Sequence, residues 1–190
     1  NSFGIGFDPL TGNLWDTENG PQFGDEINLV EPGFNSGWEK IQGIWVLNES
    51  RDKEGVLNDS SKVEFVDFNG KGKYSKPEFV WDKTVAPTAL IFLDSDKLGK
   101  KYKNDIFVGS AKNGRIYDFN LKENRKSLSL PGNLTDLVLN KKDSSSKIIF
   151  GEGFGIITDL EVGPDGYLYV VSGFRKTDEG SVYRIIPNWN

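Results

Sequence analysis

Within eleven residues, Glu18-Asn19-Gly20-Pro21-Gln22-Phe23-Gly24-Asp25-Glu26-Ile27-Asn28 brings together three carboxylates, three amides and a Gly-Pro turn. Gly20 permits positive φ, while Pro21 fixes φ and removes a donor, so the chain turns here. Because Pro21 has no N–H, the carbonyls of such a turn are not all held in a ladder. Free carbonyl oxygens beside carboxylates suit a hard cation such as calcium. The alternative reading is a polar β-turn with a solvated acidic edge.

The sequence also limits the chemistry by what it lacks. Its 190 residues contain no His and no Cys. The commonest general base and transition-metal ligand is absent, and so are disulfides, thiolate catalysis and zinc–sulfur sites. Carboxylates, Lys and Tyr remain as acid–base groups. The net charge of -5 leaves no basic footprint for nucleic acid or an anionic membrane. No apolar run approaches the roughly 20 residues of a membrane span.

The elements that must position the Gly20-Pro21 turn read as strands. Phe3, Ile5 and Phe7 precede an Asp8-to-Asn13 turn and a second strand through Leu14-Trp15. Glu26 to Val30 forms the strand after the turn. Residues 48–76 are polar and read as a surface insertion. Pro77 to Trp81 reads as a short edge-type strand. Ala89 to Leu93, Asp105 to Gly109 and Arg115 to Leu121 follow, the last two joined by Lys112-Asn113-Gly114, a strong hairpin signal. Residues 124–147 are polar again, with Leu134, Leu137 and Val138 as anchors for a short strand. Ile156 to Val162, Tyr167 to Ser172 and Gly180 to Ile186 complete the set. No segment sustains a 3.6 period, so little helix is expected.

These strands repeat. Phe7-Asp8-Pro9-Leu10-Thr11-Gly12-Asn13-Leu14-Trp15 matches Val162-Gly163-Pro164-Asp165-Gly166-Tyr167-Leu168-Tyr169, with Asn104 to Val108 as a weaker middle copy. Closing strands recur at 24–29, 114–119 and 180–185. A strand–turn–strand–loop–strand unit used three times predicts an all-β chain of about three β-propeller blades, a single domain over 1–190. A β-sandwich has similar strand spacing and is the competing architecture. About three blades cannot close a ring. The chain is therefore expected to be part of a larger propeller, or to complete one as a homodimer.

Several stretches together resemble one family: Asn1, Gly4 and Phe7-Asp8-Pro9; Leu14-Trp15 with Glu18-Asn19-Gly20-Pro21; Asp25-Glu26-Ile27-Asn28-Leu29 with Gly33, Asn35 and Gly37-Trp38; Thr84-Val85-Ala86-Pro87; Lys112 before Gly114; and Gly163 to Tyr169. The chain resembles the C-terminal half of the soluble quinoprotein glucose/sorbosone dehydrogenases. The resemblance implies a six-bladed propeller that uses pyrroloquinoline quinone (PQQ) and calcium to oxidise an aldose at C1 to the lactone. It implies that Gly20 and Pro21 present carbonyls to the calcium that clamps the quinone, and that Glu26 is a ligand of a separate structural calcium. It further implies cofactor contacts from Asn1, Thr84 and Lys112, and an aromatic wall from Trp81. The catalytic His, and an Arg before Asn1, would lie upstream, so no catalytic residue is expected within the chain.

For each of these residues a plainer role is open. Glu26 can be a strand-edge carboxylate facing water, Lys112 an ordinary hairpin-tip lysine, Trp81 a packing residue and Asn1 a frayed end. The chain departs from the family at Ile156 and Thr158, where the resemblance implies two arginines for the cofactor carboxylates; Arg175 is a nearby substitute in sequence. The competing function is a calcium-stabilised propeller without catalysis that binds a glycan or a protein. Export to the periplasm or cell exterior is implied by the resemblance alone. The sugar and the electron acceptor are not identified by any residue here.

Overall fold

A computed structural model describes residues 1–173 and 179–188. Among the described residues there is no α-helix, and no helix is long and apolar enough to cross a membrane. The chain opens with β1 (Ser2–Phe7), β2 (Leu14–Glu18) and β3 (Phe23–Val30), paired antiparallel in that order. An excursion follows, containing β4 (Phe34–Asn35), β5 (Ile41–Gln42), β6 (Trp45–Leu47), β7 (Lys53–Val56) and β8 (Lys73–Tyr74). The chain then returns to the first sheet as β9 (Phe79–Lys83), antiparallel to β3.

The second sheet is β10 (Pro87–Phe92), β11 (Ile106–Ser110) and β12 (Arg115–Phe119). Before its fourth strand the chain reaches back with β13 (Val138–Leu139), which lies parallel to β9; β14 (Ile149–Glu152) then completes the second sheet against β12. The third sheet is β15 (Ile156–Val162), β16 (Leu168–Gly173) and β17 (Gly180–Arg184). The expected all-β, propeller-like repeat is present. One strand differs from expectation: β9 is no edge. It is hydrogen-bonded on both sides, and Phe79, Val80 and Trp81 are fully buried. Pro77 stands before the strand and removes no ladder donor from it.

The sheets stack through apolar faces. Trp15, Ile27, Phe79, Trp81, Leu90 and Phe119 belong to the core between the first and second sheets. Phe107, Ile116, Ile157, Leu160 and Val170 belong to that between the second and third. The first strands β1, β10 and β15 lie side by side. Gly4 makes this approach possible, since a Cβ there would meet the Leu90 nitrogen at 2.6 Å. At the outer ends the stack is open: Ile5 and Phe7 on β1 and Val182 on β17 stay more than half exposed.

Alternate neighbours run antiparallel, so in the first and second sheets the start of the first strand and the loop between the second and third lie at one end. That end collects Asn1 and the 19–22 loop, the 84–86 turn and the 111–114 hairpin, and the start of β15. The opposite end is clamped by Arg125, whose Nε and Nη2 donate to Asp8 at 2.6 and 2.8 Å. Arg125 also donates to the Asn104 carbonyl at 2.8 Å. The Asp8 side chain is fully buried. Arg125→Ala leaves that carboxylate without its cation and is expected to cost about 3–5 kcal/mol. Urea unfolding measures this, and a loss under about 1 kcal/mol, the scale of a surface pair, counts against the clamp.

Candidate functional site

The first-strand end gathers most of the residues singled out in the sequence, and Asp25 is what joins them. Asp25 lies on β3 and is fully buried. Its Oδ1 accepts from the Gly20 N–H at 2.8 Å; its Oδ2 accepts from the Val85 and Ala86 N–H groups at 2.6 and 2.8 Å. One carboxylate thus fixes two loops that lie some 60 residues apart in sequence. Burial pushes the Asp25 carboxyl up, while these three donors and the charge of Lys112 pull it down. Ala86 has φ +55, a left-handed conformation uncommon for a residue with a side chain. Such a turn persists where its surroundings over-determine it.

The turn in turn sets Lys112. Backbone bonds join Lys112 N to the Val85 carbonyl at 3.0 Å and Ala111 N to the Ala86 carbonyl at 2.9 Å. Lys112 Nζ donates to Thr84 Oγ1 at 2.6 Å. Thr84 and Lys112 are therefore brought together, and Lys112 is more than a free hairpin-tip lysine. Beside them Asn113 Nδ2 donates to the Tyr117 hydroxyl at 2.9 Å.

Gly20 and Pro21 sit at the same end. A Cβ on Gly20 would lie 1.9 Å from the Phe23 carbonyl oxygen, so only glycine fits. Their neighbours Asn1, Glu18, Trp38 and Gln42 complete a cavity of about 290 Å³. Asn1 is exposed, and its carbonyl accepts from Asn19 N at 3.0 Å. Asn19 Nδ2 donates to the Pro87 carbonyl at 3.2 Å, tying the loop to the second sheet.

Glu26 lies on the opposite face of β3 and does not face water: it is 1% exposed. It accepts from Gly43 N at 2.5 Å and from Gln42 Nε2 and Asn28 Nδ2 at 3.2 Å. Glu18 pairs across the ladder with Glu26, and Asp16 with Asn28. Strand alternation puts all four on one face. Burial raises the Asp16, Glu18 and Glu26 carboxyls, and the Glu18 charge adds to the rise of Glu26 to about 8. Asp16 Oδ1 and Asn28 Oδ1 are buried acceptors without partners. This donor set fits a hard cation. Among the described residues, however, no three acidic side chains converge as a metal cage. A cation here would take carbonyl oxygens as well.

Trp81 is fully buried, its ring packed against Phe79, Tyr117 and Phe119 at 5.0 to 5.8 Å. It backs the wall of a second cavity, of about 520 Å³, that contains Thr84 and Lys112, and it presents no open face. Ile156 borders a third hollow, shared with Lys112 and with Gly114, Gly153, Gly155 and Gly173 in its lining. Thr158 is exposed and donates to the Val171 carbonyl at 3.3 Å. Neither residue brings charge to the site; Arg175 lies outside the described residues. Sequence reading missed Asp25 as the organising residue. Its only local signal was a carboxylate in the same loop-and-strand run as Gly20.

Asp25→Ala leaves three backbone donors without an acceptor. At about 1–3 kcal/mol per unsatisfied group, the expected loss is about 3 kcal/mol or more. It comes with faster hydrogen exchange at Gly20, Val85 and Ala86. Retained protection at those three amides would refute the joint.

With this geometry in hand, relatives of the chain can be placed. The family described as "Glucose / Sorbosone dehydrogenase" matches residues 1–184. The "Aldose sugar dehydrogenase YliI" of Escherichia coli (strain K12) is 30% identical over 181 residues, which are 95% of this chain and 40% of that protein. The soluble aldose sugar dehydrogenase of Escherichia coli in its apo-form superposes with a TM-score of 0.63 at 26% identity, over 99% of this chain and 45% of that one. The PQQ-bound aldose sugar dehydrogenase of Streptomyces coelicolor shares the fold, with a TM-score of 0.59 at 18% identity over 97% and 42% of the two chains. The chain thus spans less than half the length of these relatives. On a match that covers nearly all of its residues, the chain belongs to the glucose/sorbosone dehydrogenase family.

Proposed function

We propose that this chain is the C-terminal part of a PQQ- and calcium-dependent dehydrogenase that oxidises an aldose at C1 to its lactone. The observation that carries the reading is the Asp25 joint, which holds Gly20-Pro21, Thr84 and Lys112 at one end of the sheets. Membership of the family and the name of the Escherichia coli relative support it. The quinone, when bound, supplies the two-electron acceptor that no side chain of the protein can provide.

The chain's own residues do the rest. Gly20 and Pro21 offer carbonyl oxygens to a calcium; no backbone hydrogen bond recorded among the described residues ends on either. Lys112, held by Thr84, keeps a positive charge where an anionic or electron-rich group would rest. Asn1 adds an amide at the cavity that also contains Gly20 and Pro21. Trp81 makes the wall rigid from behind. The base that takes the C1 hydroxyl proton is not in this chain, which has no His; it belongs to the remainder of the protein. Export from the cytoplasm is part of the same proposal. The open apolar faces at β1 and β17 suit further sheets of the same protein, or a second copy.

A second reading has one observation in its favour. Ile156 and Thr158 bring no cation to the site, so a calcium-stabilised binding propeller that takes a glycan or a protein remains the alternative. Calorimetric titration of PQQ with calcium into the full-length protein separates the two. Saturable binding is expected, and its absence would sink the dehydrogenase reading.

Calcium itself has a pH signature. The folded protein holds the Glu26 proton up to about pH 8, whereas the unfolded chain releases it near 4.5. Unfolding in that window releases a proton, so calcium-free stability falls as pH rises from 4.5 toward 8. A cation bound beside Glu26 favours the ionised form and removes the fall. Melting temperatures in chelator and in calcium, across this range, should therefore diverge with rising pH. Parallel curves would remove Glu26 as a ligand.

A further inference from the structure

The cavity behind Lys112 has a charge out of keeping with the rest of the protein. The chain carries a net charge of -5. Yet Lys83, Lys112, Arg115 and Lys141 line this cavity against a single carboxylate, Asp143. Its volume of about 520 Å³ lies within the range of small-molecule sites. A cleft lined by one sign of charge concentrates ligands of the other.

Lys112 and Asn113 are held in place within it. Lys112 Nζ is held at 2.6 Å by Thr84, whose turn is fixed by Asp25. The Asn113 amide is held at both ends: its Nδ2 donates to the Tyr117 hydroxyl at 2.9 Å and its Oδ1 accepts from Ser110 Oγ at 2.5 Å. Arg115 donates its Nε to Glu152, an exposed partner, at 3.2 Å, and its guanidinium also hydrogen-bonds the Tyr117 side chain in the cavity lining, which orients it there. Lys83 ends β9 and Lys141 follows β13, so both come from the paired strands that form one side of the cavity. A guanidinium fork with flanking ammonium groups matches the oxygens of a carboxylate or a phosphate.

We propose that this cavity is an oxyanion subsite, and that the sugars this protein takes carry a negatively charged substituent: the carboxylate of a uronic acid or the phosphate of a sugar phosphate. The proposal rests on the sugar-oxidising reading for its substrate, while the anion site itself rests on the cavity. Arg115 and Lys83 hold the charged substituent, and the sugar ring then extends toward Thr84 and Lys112.

Calorimetric titration of the full-length protein with glucuronate, glucose 6-phosphate and neutral glucose tests it. At low salt at least one anionic sugar should bind roughly tenfold more tightly than glucose, the worth of about one charge-assisted hydrogen bond. Preference for the carboxylate or for the phosphate identifies which substituent the site takes. Arg115→Gln and, separately, Lys83→Gln should reduce that advantage and leave glucose binding unchanged. Melting temperatures establish that both variants fold. Equal binding of charged and neutral sugars, or an advantage untouched by both variants, overturns the subsite. If saturating PQQ abolishes binding of the anionic sugars, the cavity serves the cofactor's own carboxylates and the substrate assignment falls. If anionic sugars bind but the protein oxidises no sugar, the dehydrogenase reading fails and the anion site stands.

Discussion

A single buried carboxylate, Asp25, carries the geometry of the candidate site. Removing an ion from water is costly, and it is tolerated where several donors replace the lost hydration. Asp25 has three such donors, all backbone N–H groups on loops. Backbone donors have few ways to adjust, so the carboxylate fixes the loops as firmly as the loops fix it. An amide side chain would turn a donor toward at least one of them. The left-handed Ala86 follows from this, since both its own N–H and that of Val85 must point at the same oxygen. Lys112 inherits its position from the same turn through two backbone bonds and through Thr84.

The reverse face of the same sheet shows the opposite balance. Asp16, Glu18 and Glu26 are buried together with few charges to answer them. What covers them is the excursion between β3 and β9. Gln42 and Gly43 donate to Glu26, and a Cβ on Gly37 would touch both Ile41 and Tyr74, which shows how tightly that cover is folded. Ile5 pairs directly with Asp16 and so lies on the same face, yet it stays 61% exposed. The cover therefore shields the polar part of the face and leaves the apolar part open. Hydrophobic burial alone would favour the reverse. A cover that protects carboxylates from water strengthens their attraction for a cation.

Much of this was legible in the sequence because it is local. Alternation of apolar residues gave the strands, Gly-Pro and Asn-Gly gave the turns, and the three-fold repeat gave the stack of sheets. The Gly20-Pro21 turn could be marked as a site because turn chemistry is written in adjacent residues. What was hidden depends on partners far along the chain. Asp25 looks like any acidic residue until residues 85 and 86 are placed on it. Strand β9 looked like an edge because Pro77 precedes it, and its second partner is a two-residue strand nearly 60 residues later. Glu26 could not be assigned to water or to the interior, because its cover comes from a polar excursion whose composition suggests exposure. Trp81 could be read as wall or as core; it is core that backs a wall.

Lys112 stands between two hollows of unlike character, and that contrast decides where negative charge is stable. On the side of Ile156 the lining is glycine-rich and contains no other charged residue. On the side of Arg115 three further cations lie in the lining. An anion in the first hollow has one ammonium to answer it, and the interaction of one exposed pair amounts to about 1 kcal/mol or less. An anion in the second meets several cations that are already brought together by the fold, so their mutual repulsion is relieved on binding. Electrostatics thus bias any anionic ligand of this end of the molecule toward the Arg115 side. The bias comes from the order of the strands: β9 and β13 carry Lys83 and Lys141 to the cavity, and they are neighbours only because the chain reaches back from the second sheet to the first.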